Sequence, residues 1–352
     1  MRFSLDDDQQ DLRRTVRTLL ERTADARAAV PAGEPDRALW DRLSGELGLA
    51  GLAVPEKHGG AGAGMVELAV VAEELGAALA AVPFLSTAVV AASALQLTGD
   101  DAAAARHLPE IAKGSVVAVV LGEPARVHGD VLSGAWPAVP DAADADLLLV
   151  PGAGPGGLSL YAVDPTAPAV RRTVPEALLD PSSPLAAVEL AGAAGTRLGA
   201  AGGAAGWWDR LRALAAVGLA AEQLGGARHC LDTTTDYLRS RIAFGRPIGS
   251  FQALKHRCAG LYLEVEAARA VVYHAAWSAA AGADLDLIAD ATAAHTSETF
   301  RRVAGEAIQL HGGIGFTWEH EAHRYLRRAW ATRQLFDTPD TRYDRIAEGL
   351  GA

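Results

Sequence analysis

Between about residue 115 and residue 200 this 352-residue chain changes texture, and that change limits what it can become. On both sides apolar residues recur at helical spacing. Inside the block they fall into short β-type runs, Val116 to Leu121, Leu147 to Val150 and Leu158 to Val163, separated by Gly, Pro and Asp. Val188 to Leu190 reads as part of another such run, whereas the Gly-, Ala- and Pro-rich stretches 151 to 157 and 191 to 206 read as loops. The length suffices for two or three domains. The expected class is α+β, mainly α, in three blocks. These are an N-terminal helical domain over 1–114, a small β-barrel or sandwich over 115–200, and a C-terminal four-helix bundle over 201–352.

Helix spacing predicts a first helix over 5–28, with Asp6, Asp7 and Asp8 at its positive end and Leu12, Val16, Leu19 and Leu20 along one face. A loop with Pro31 and Pro35 follows. Leu39, Leu43 and Leu47 then mark a second helix closed by Gly48, and 65–81 reads as a third. Residues 75–99 are uncharged, which raises a membrane question. Pro83, Ser86, Thr87, Ser93 and Gln96 interrupt them, so the expectation is a buried helix pair broken at Pro83. After the β block, helices are expected over 207–242, 251–281, 284–311 and 319–335, with a short one near Arg345, Ile346 and Leu350.

Several function classes drop out on composition. A formal charge of −11 argues against a sequence-independent grip on nucleic acid. Cys230 and Cys258 lack metal-ligand spacing and read as buried reduced thiols of a cytoplasmic protein. The first residues lack the apolar core of a secretory signal. The ten histidines form no HExxH or similar cluster, and His320 and His323 read as solvent-facing, so no metal is expected. There is no Gly-x-Ser-x-Gly elbow and no P-loop.

Two glycine-bearing corners could carry chemistry. In the first, a helix with Ala307, Ile308, Gln309, Leu310 and His311 stops on Gly312 and Gly313, with Gly315 close behind. That is either a glycine C-cap or bare backbone against which a flat ligand with a diphosphate can lie. In the second, Arg241 ends a helix before the turn through Phe244, Gly245 and Pro247, with Phe251 and Gln252 beyond. That is either a basic C-cap or a planar fork matched to a diphosphate.

The runs Arg-x-x-Phe-Gly-x-Pro-Ile-x-x-Phe-Gln and Gln-x-x-Gly-Gly-x-Gly-Phe resemble segments of the acyl-CoA dehydrogenase family. So does Val-Pro-Glu…Gly-Gly-x-Gly…Glu-Glu-Leu-Gly over 54–76. The resemblance covers essentially the whole chain and is poorest in the β block. It implies helical, β and helical domains in that order, an oligomer, and an FAD held by Arg241, Phe244, Gln252, Gln309, Gly312 and Gly313 across a subunit interface. It also implies α,β-dehydrogenation of an acyl-CoA thioester, in which a carboxylate takes the α-proton while the β-hydride goes to the flavin. Electrons then pass to an electron-transfer flavoprotein.

This chain departs from the family at the base. Where the family has an aromatic-Glu-Gly-Thr motif, it reads Phe336-Asp337-Thr338, so Asp337 is the only acid among the aligned candidates. An alternative family position, on the helix before Arg241, falls near Ala215. Glu222 lies two turns further on, among Gly218, Ala221, Gly225 and Gly226, which allow a ligand or another helix to approach. Each acid also has a plain structural reading: Asp337 as a helix-end residue before Pro339, Glu222 as a buried hydrogen-bond partner. The β block keeps Glu123-Pro124 but lacks the family's Gly-Ser-Asp, and Pro137 follows Trp136 where the family's flavin-covering strand would run.

Three readings follow. The chain is catalytic alone, as a homo-oligomer with Asp337 or Glu222 as base. It is one subunit of a mixed tetramer with a second acyl-CoA dehydrogenase chain that supplies the base, as in bacterial enzymes acting on bulky sterol-derived thioesters. Or it is a silent scaffold of the same fold that binds a CoA thioester or a partner protein.

Overall fold

The structure, a computed structural model, describes residues 4–24 and 34–351. The end of the first expected helix beyond residue 24 and the expected turn at Pro31 lie outside the described residues. Contacts divide the chain into two compact units that cut across the three sequence blocks. One comprises Met1–Arg22, Ala69–Ala80 and Ala216–Ala352, the other Thr23–Leu68 and Ala81–Ala215.

The second unit carries helix α1's successor, α2 (Arg37–Gly45), after α1 itself (Asp7–Arg22) has ended in the first unit. Asp36 caps α2 by accepting the Leu39 N–H at 2.9 Å. Beyond Pro83 the chain runs through a π-helical stretch, Phe84–Ala91, into α4 (Ala92–Leu97), as the expected break requires. Here Thr87 Oγ1 accepts the Val117 N–H at 3.0 Å, which ties the helix to the first strand. A helix not expected from the sequence, α5 (Asp101–Ala112), follows; Asp100 caps it by accepting two backbone N–H groups. Among the described residues no helix is long and apolar enough to cross a membrane.

The β block is a small barrel. Strands β1 (Val117–Val119), β2 (Ala125–His128), β3 (Val131–Pro140), β4 (Leu147–Gly154), β5 (Gly157–Val163), β6 (Val170–Thr173) and β7 (Leu185–Leu198) form one sheet. The order β4-β2-β3-β7-β5 closes because β5 pairs back onto β4; β1 continues the row of β2, and β6 pairs with β7. Closure removes free edges from this ring. Of the stretches expected as loops, Pro155 and Gly156 make the turn between β4 and β5, while 151–154, 157 and 191–198 are strand. Their glycines suit a narrow barrel: a Cβ on Gly152 would lie 2.6 Å from Val127 Cγ2, and one on Gly195 2.5 Å from Leu132 Cδ1. Strands β2, β3 and β6 were not distinguished by sequence pattern alone, because half their positions face outward and carry Arg, His and Ser.

The first unit is built of long helices. They are α1, the latter part of α3 (Met65–Ala77), α6 (Trp208–Ser240) from Ala216 on, α7 (Gln252–Ala280), α8 (Asp286–His311), α9 (Ala322–Thr332) and α10 (Pro339–Gly349). Asp6 and Gln9 form a reciprocal capping box on α1, with bonds of 2.9 and 3.1 Å. Where α3 and α6 cross, their backbones touch. A Cβ on Gly76 would overlap the Glu222 carbonyl, and one on Gly225 the Glu73 carbonyl. The small residues around Glu222 thus admit a helix at Gly225, and at Gly226 the ring of Phe300.

Two buried carboxylates next to this crossing are met by four arginines. Glu73, with no exposed surface, accepts bonds from Arg13 and Arg269 at 2.9 Å and from the Tyr273 hydroxyl at 2.6 Å. Glu74 accepts two from Arg17 at 2.9 Å and one from Arg228 at 3.0 Å. Burial pushes the Glu74 carboxyl up, but the Arg17 and Arg228 hydrogen bonds and charges outweigh it and hold it below its ordinary value. A carboxylate held low when folded stabilises the protein above its unfolded pKa, and that contribution is lost as pH falls through the folded value. The urea midpoint is therefore expected to stay level down to about pH 5 and to fall below about pH 4. In Glu74→Gln the acid-side fall is expected to be shallower; an unchanged profile would remove Glu74 from this role.

Candidate functional site

The chain leaves α6 through a tight hairpin, β8 (Ile242–Ala243) with β9 (Arg246–Pro247), in which Ala243 faces Arg246 and Ile242 faces Pro247. The Ile248 N–H donates to the Arg241 carbonyl at 2.9 Å and extends the ladder by one pair. Both turn residues are left-handed, Phe244 at φ 53° and Gly245 at φ 74°, as a two-residue type I′ turn requires. For a phenylalanine that backbone costs on the order of 1–3 kcal/mol, a strain that clusters at ligand clamps. The Phe244 ring is 92% exposed and meets Phe251 edge-on at 5.9 Å. The guanidinium of Arg246 lies 4.1 Å over the Phe251 ring. Among the described residues the side chains of Arg241 and Arg246 make no hydrogen bond or ion pair.

At the other corner, α8 ends on His311. Its ring is buried, donates from Nδ1 to the Ala307 carbonyl at 2.7 Å, and packs between Tyr237 at 4.6 Å and His320 at 4.2 Å. His320, expected in solvent, is half-buried, and burial together with His311 pushes it below its ordinary value. The three glycines differ in what the fold asks of them. Gly312 takes φ 61° and ψ −139°, open only to glycine. Gly315 is tight, since a Cβ there would lie 2.6 Å from the Ile308 carbonyl oxygen. Gly313 is neither left-handed nor crowded, with nothing within 4 Å of an added Cβ, so its bare backbone faces open space without a demand from the fold.

The two corners share one end of the first unit. Tyr237 lies four residues before Arg241 and touches His311, two residues past Gln309. Arg257, five residues past Gln252, donates to Glu306, three before Gln309, at 2.9 Å. Arg241, Phe244, Gln252, Gln309, Gly312 and Gly313 are thereby gathered where α6 ends, α7 begins and α8 ends. Arg241, Gln252, Gln309, Gly312 and Gly313 are exposed, and Phe316 and Trp318 stand 89% and 82% exposed close by. Unpaired guanidinium forks beside bare amides suit a diphosphate, and exposed aromatic rings of this size mark a contact surface.

The two candidate bases are elsewhere and both are held by arginine. Glu222 receives Arg328 from α9, whose own side chain is only 5% exposed. Asp337 precedes the Thr338 cap of α10 and accepts from Arg345 at 3.2 Å; Arg345 and Arg342 also bind Asp290 of α8. Asp337 is thus a helix-end residue but a part-buried one, 16% exposed at its side chain. Each carboxylate is thus already engaged by a guanidinium. No sequence pattern marked Arg328 or Arg345 as the partners, since ion pairs across helices depend on packing.

In the barrel, Trp136 turns inward. Its indole donates to the Glu123 carbonyl at 2.8 Å and lies against Gly122 and Gly134. The β3–β7 register slips between Trp136 and Val139, around Pro137, which has no N–H to give the ladder. Among the described residues no group of three or more His, Cys, Asp or Glu side chains could hold a metal ion. Cys230 is buried, and that burial pushes its thiol well up, whereas Cys258, expected buried, is only half-buried.

Comparison with known proteins places the chain in a family. Residues 6–115 match the family model of the acyl-CoA dehydrogenase N-terminal domain, and residues 210–351 that of the C-terminal domain. The chain is 37% identical over 347 residues to the acyl-CoA dehydrogenase IpdE2 of Mycobacterium tuberculosis, covering 95% of this chain and 94% of that one. Its fold resembles the ChsE4-ChsE5 complex of the same organism, with a TM-score of 0.90, 30% identity, and coverage of 100% and 99% of the two chains. It also resembles butyryl-CoA dehydrogenase of Megasphaera elsdenii, with a TM-score of 0.90, 24% identity and full coverage of both chains. With both terminal domains matched and a relative aligned along nearly its whole length, this chain belongs to the acyl-CoA dehydrogenase family and is an oxidoreductase of that type.

Proposed function

We propose that the chain takes part in FAD-dependent α,β-dehydrogenation of an acyl-CoA thioester as one subunit of a mixed assembly with a second acyl-CoA dehydrogenase chain. The observation that carries this is a contrast within one unit: among the described residues two arginines at its exposed corner make no hydrogen bond or ion pair, while both candidate bases are paired with arginine. Arg241, Phe244, Gln252, Gln309, Gly312 and Gly313 hold the cofactor of the neighbouring subunit, the arginine fork at the diphosphate and Gly313 lending its backbone. When bound, FAD would supply the acceptor for the β-hydride of the thioester, and an electron-transfer flavoprotein would take the electrons onward. The partner contributes the carboxylate that removes the α-proton. Two features support this division: the Pro137 irregularity in β3 and the likeness to a structure described as a complex of two chains.

The test is expression alone and beside a co-purifying acyl-CoA dehydrogenase chain, with flavin counted per chain by absorbance and turnover measured with an artificial electron acceptor. Colourless, inactive protein alone and yellow, active protein in the pair is the expected result. Yellow protein turning over alone would reject partner dependence, and absence of flavin in both would leave a scaffold that binds a thioester or a partner. In the active pair, Asp337→Asn and Glu222→Gln are each expected to keep turnover within about threefold. Loss of a true general base costs about 10²–10⁴-fold, and a loss of that size would reinstate the residue as the base.

A further inference from the structure

The hairpin places a second arginine on the face that carries the first. Antiparallel pairing sets Ala243 against Arg246 and, through the Ile248 N–H bond, Arg241 against Ile248. Residues directly opposite share a face, and alternate residues along a strand do too. Arg241, Ala243, Arg246 and Ile248 therefore lie on one face of the hairpin, and Ile242 and Pro247 on the other. Arg241 and Arg246 are diagonal neighbours, roughly 7–8 Å apart at the backbone. Their guanidinium groups can close on the two phosphates of one diphosphate without any change in the hairpin.

Three observations separate Arg246 from an ordinary surface arginine. In a chain with 43 acidic residues it has no carboxylate partner among the described residues. Its guanidinium is not free to wander, because it stacks 4.1 Å over Phe251. That platform is held in turn by the edge of Phe244, the residue whose left-handed backbone sets the turn. An arginine fixed in plane by an aromatic face keeps its outer N–H groups directed and loses little freedom when it meets an anion.

We infer that Arg246 is a second diphosphate-binding residue of this corner, acting with Arg241, and that Phe251 is a positioning residue which holds the Arg246 fork in plane. The inference rests on the reading of the corner as a dinucleotide site. It goes beyond that reading in assigning the diphosphate two cations rather than one.

The test uses the full chain, alone or in its co-purified pair, with binding of FAD followed by quenching of flavin fluorescence and binding of ADP by competition. Arg246→Ala is expected to weaken both by about tenfold, the size of one lost charge-assisted hydrogen bond, and to flatten the dependence on salt. Arg246→Lys keeps the charge but not the fork, and Phe251→Leu keeps the fork but not the platform; each is expected to fall between wild type and Arg246→Ala. Binding of riboflavin, which lacks the diphosphate, is expected to be unchanged by all three. Wild-type binding with an unaltered Arg246→Ala variant would overturn this inference alone. Failure of the wild type to bind FAD or ADP in any preparation would overturn the dinucleotide reading and this inference with it. The hairpin is exposed, so thermal melting of the flavin-free variants should match that of flavin-free wild type, and a lowered melting temperature in flavin-free Arg246→Ala would count against a binding role.

Discussion

Replacing Glu73 by alanine is expected to cost about 3–5 kcal/mol and to leave the chain largely unfolded at moderate urea. The carboxylate is fully buried and accepts from Arg13, Arg269 and the Tyr273 hydroxyl, drawn from α1 and α7 to a residue on α3. Once it is gone, half-buried guanidinium groups face one another across a cavity, with Glu74 and the bond from Arg269 to Glu266 left to balance them. The loss is therefore the cost of stranded charge rather than the net worth of the pairs. Glu73→Gln, which keeps the volume and can still accept from Tyr273, should recover part of it. Urea midpoints at constant slope will measure both. A loss below about 1 kcal/mol in the alanine variant would show that the arginines find other partners or water.

Gly225 and Gly305 are expected to respond to alanine with opposite sign. Both sit inside long helices, where glycine is intrinsically about 1 kcal/mol worse than alanine. Nothing lies within 4 Å of a Cβ on Gly305, so Gly305→Ala should stabilise by about 0.5–1 kcal/mol. At Gly225 the Cβ would overlap the Glu73 carbonyl across the α3–α6 crossing, and backbone cannot rotate out of the way as a side chain can. Gly225→Ala should therefore destabilise by about 2 kcal/mol and Gly225→Val by about 3 kcal/mol, the range of overpacked cores. Parallel thermal melts of the three variants decide it. A neutral Gly225→Ala would mean that the two helices slide apart at little cost.

The two glycine sites also show how far sequence patterns reach. The run Ala221-Glu222-Gln223-Leu224-Gly225-Gly226 displays a small-residue surface, but not what covers it. Only packing reveals that α3 lies over Gly225 and Phe300 over Gly226. The corner at Gly312 and Gly313 behaves differently, because a helix that stops on two glycines is a local event. Its exposure follows from spacing alone, and the structure adds only that Gly313 is free of any demand from the fold. The β block sits between these cases. Runs with strict apolar content, such as Leu147 to Val150, are legible. Strand β7 is not legible beyond Leu190, because Ala191 to Gly195 carry no strand propensity and are extended only by pairing with β3 and β5.

By itself the sequence determined the order of helical, β and helical blocks and the family, and it singled out six residues at the ends of α6 and α8 and the start of α7, all of which lie exposed. Each of these is written in periodicity, or in motifs whose members lie within a few residues of one another. Tertiary structure alone decided which arginine meets which carboxylate, those at Glu222 and Asp337 included. Ion pairs form between groups within a few ångströms in space, and here the partner arginines lie 106 and 8 positions along the chain from Glu222 and Asp337, respectively.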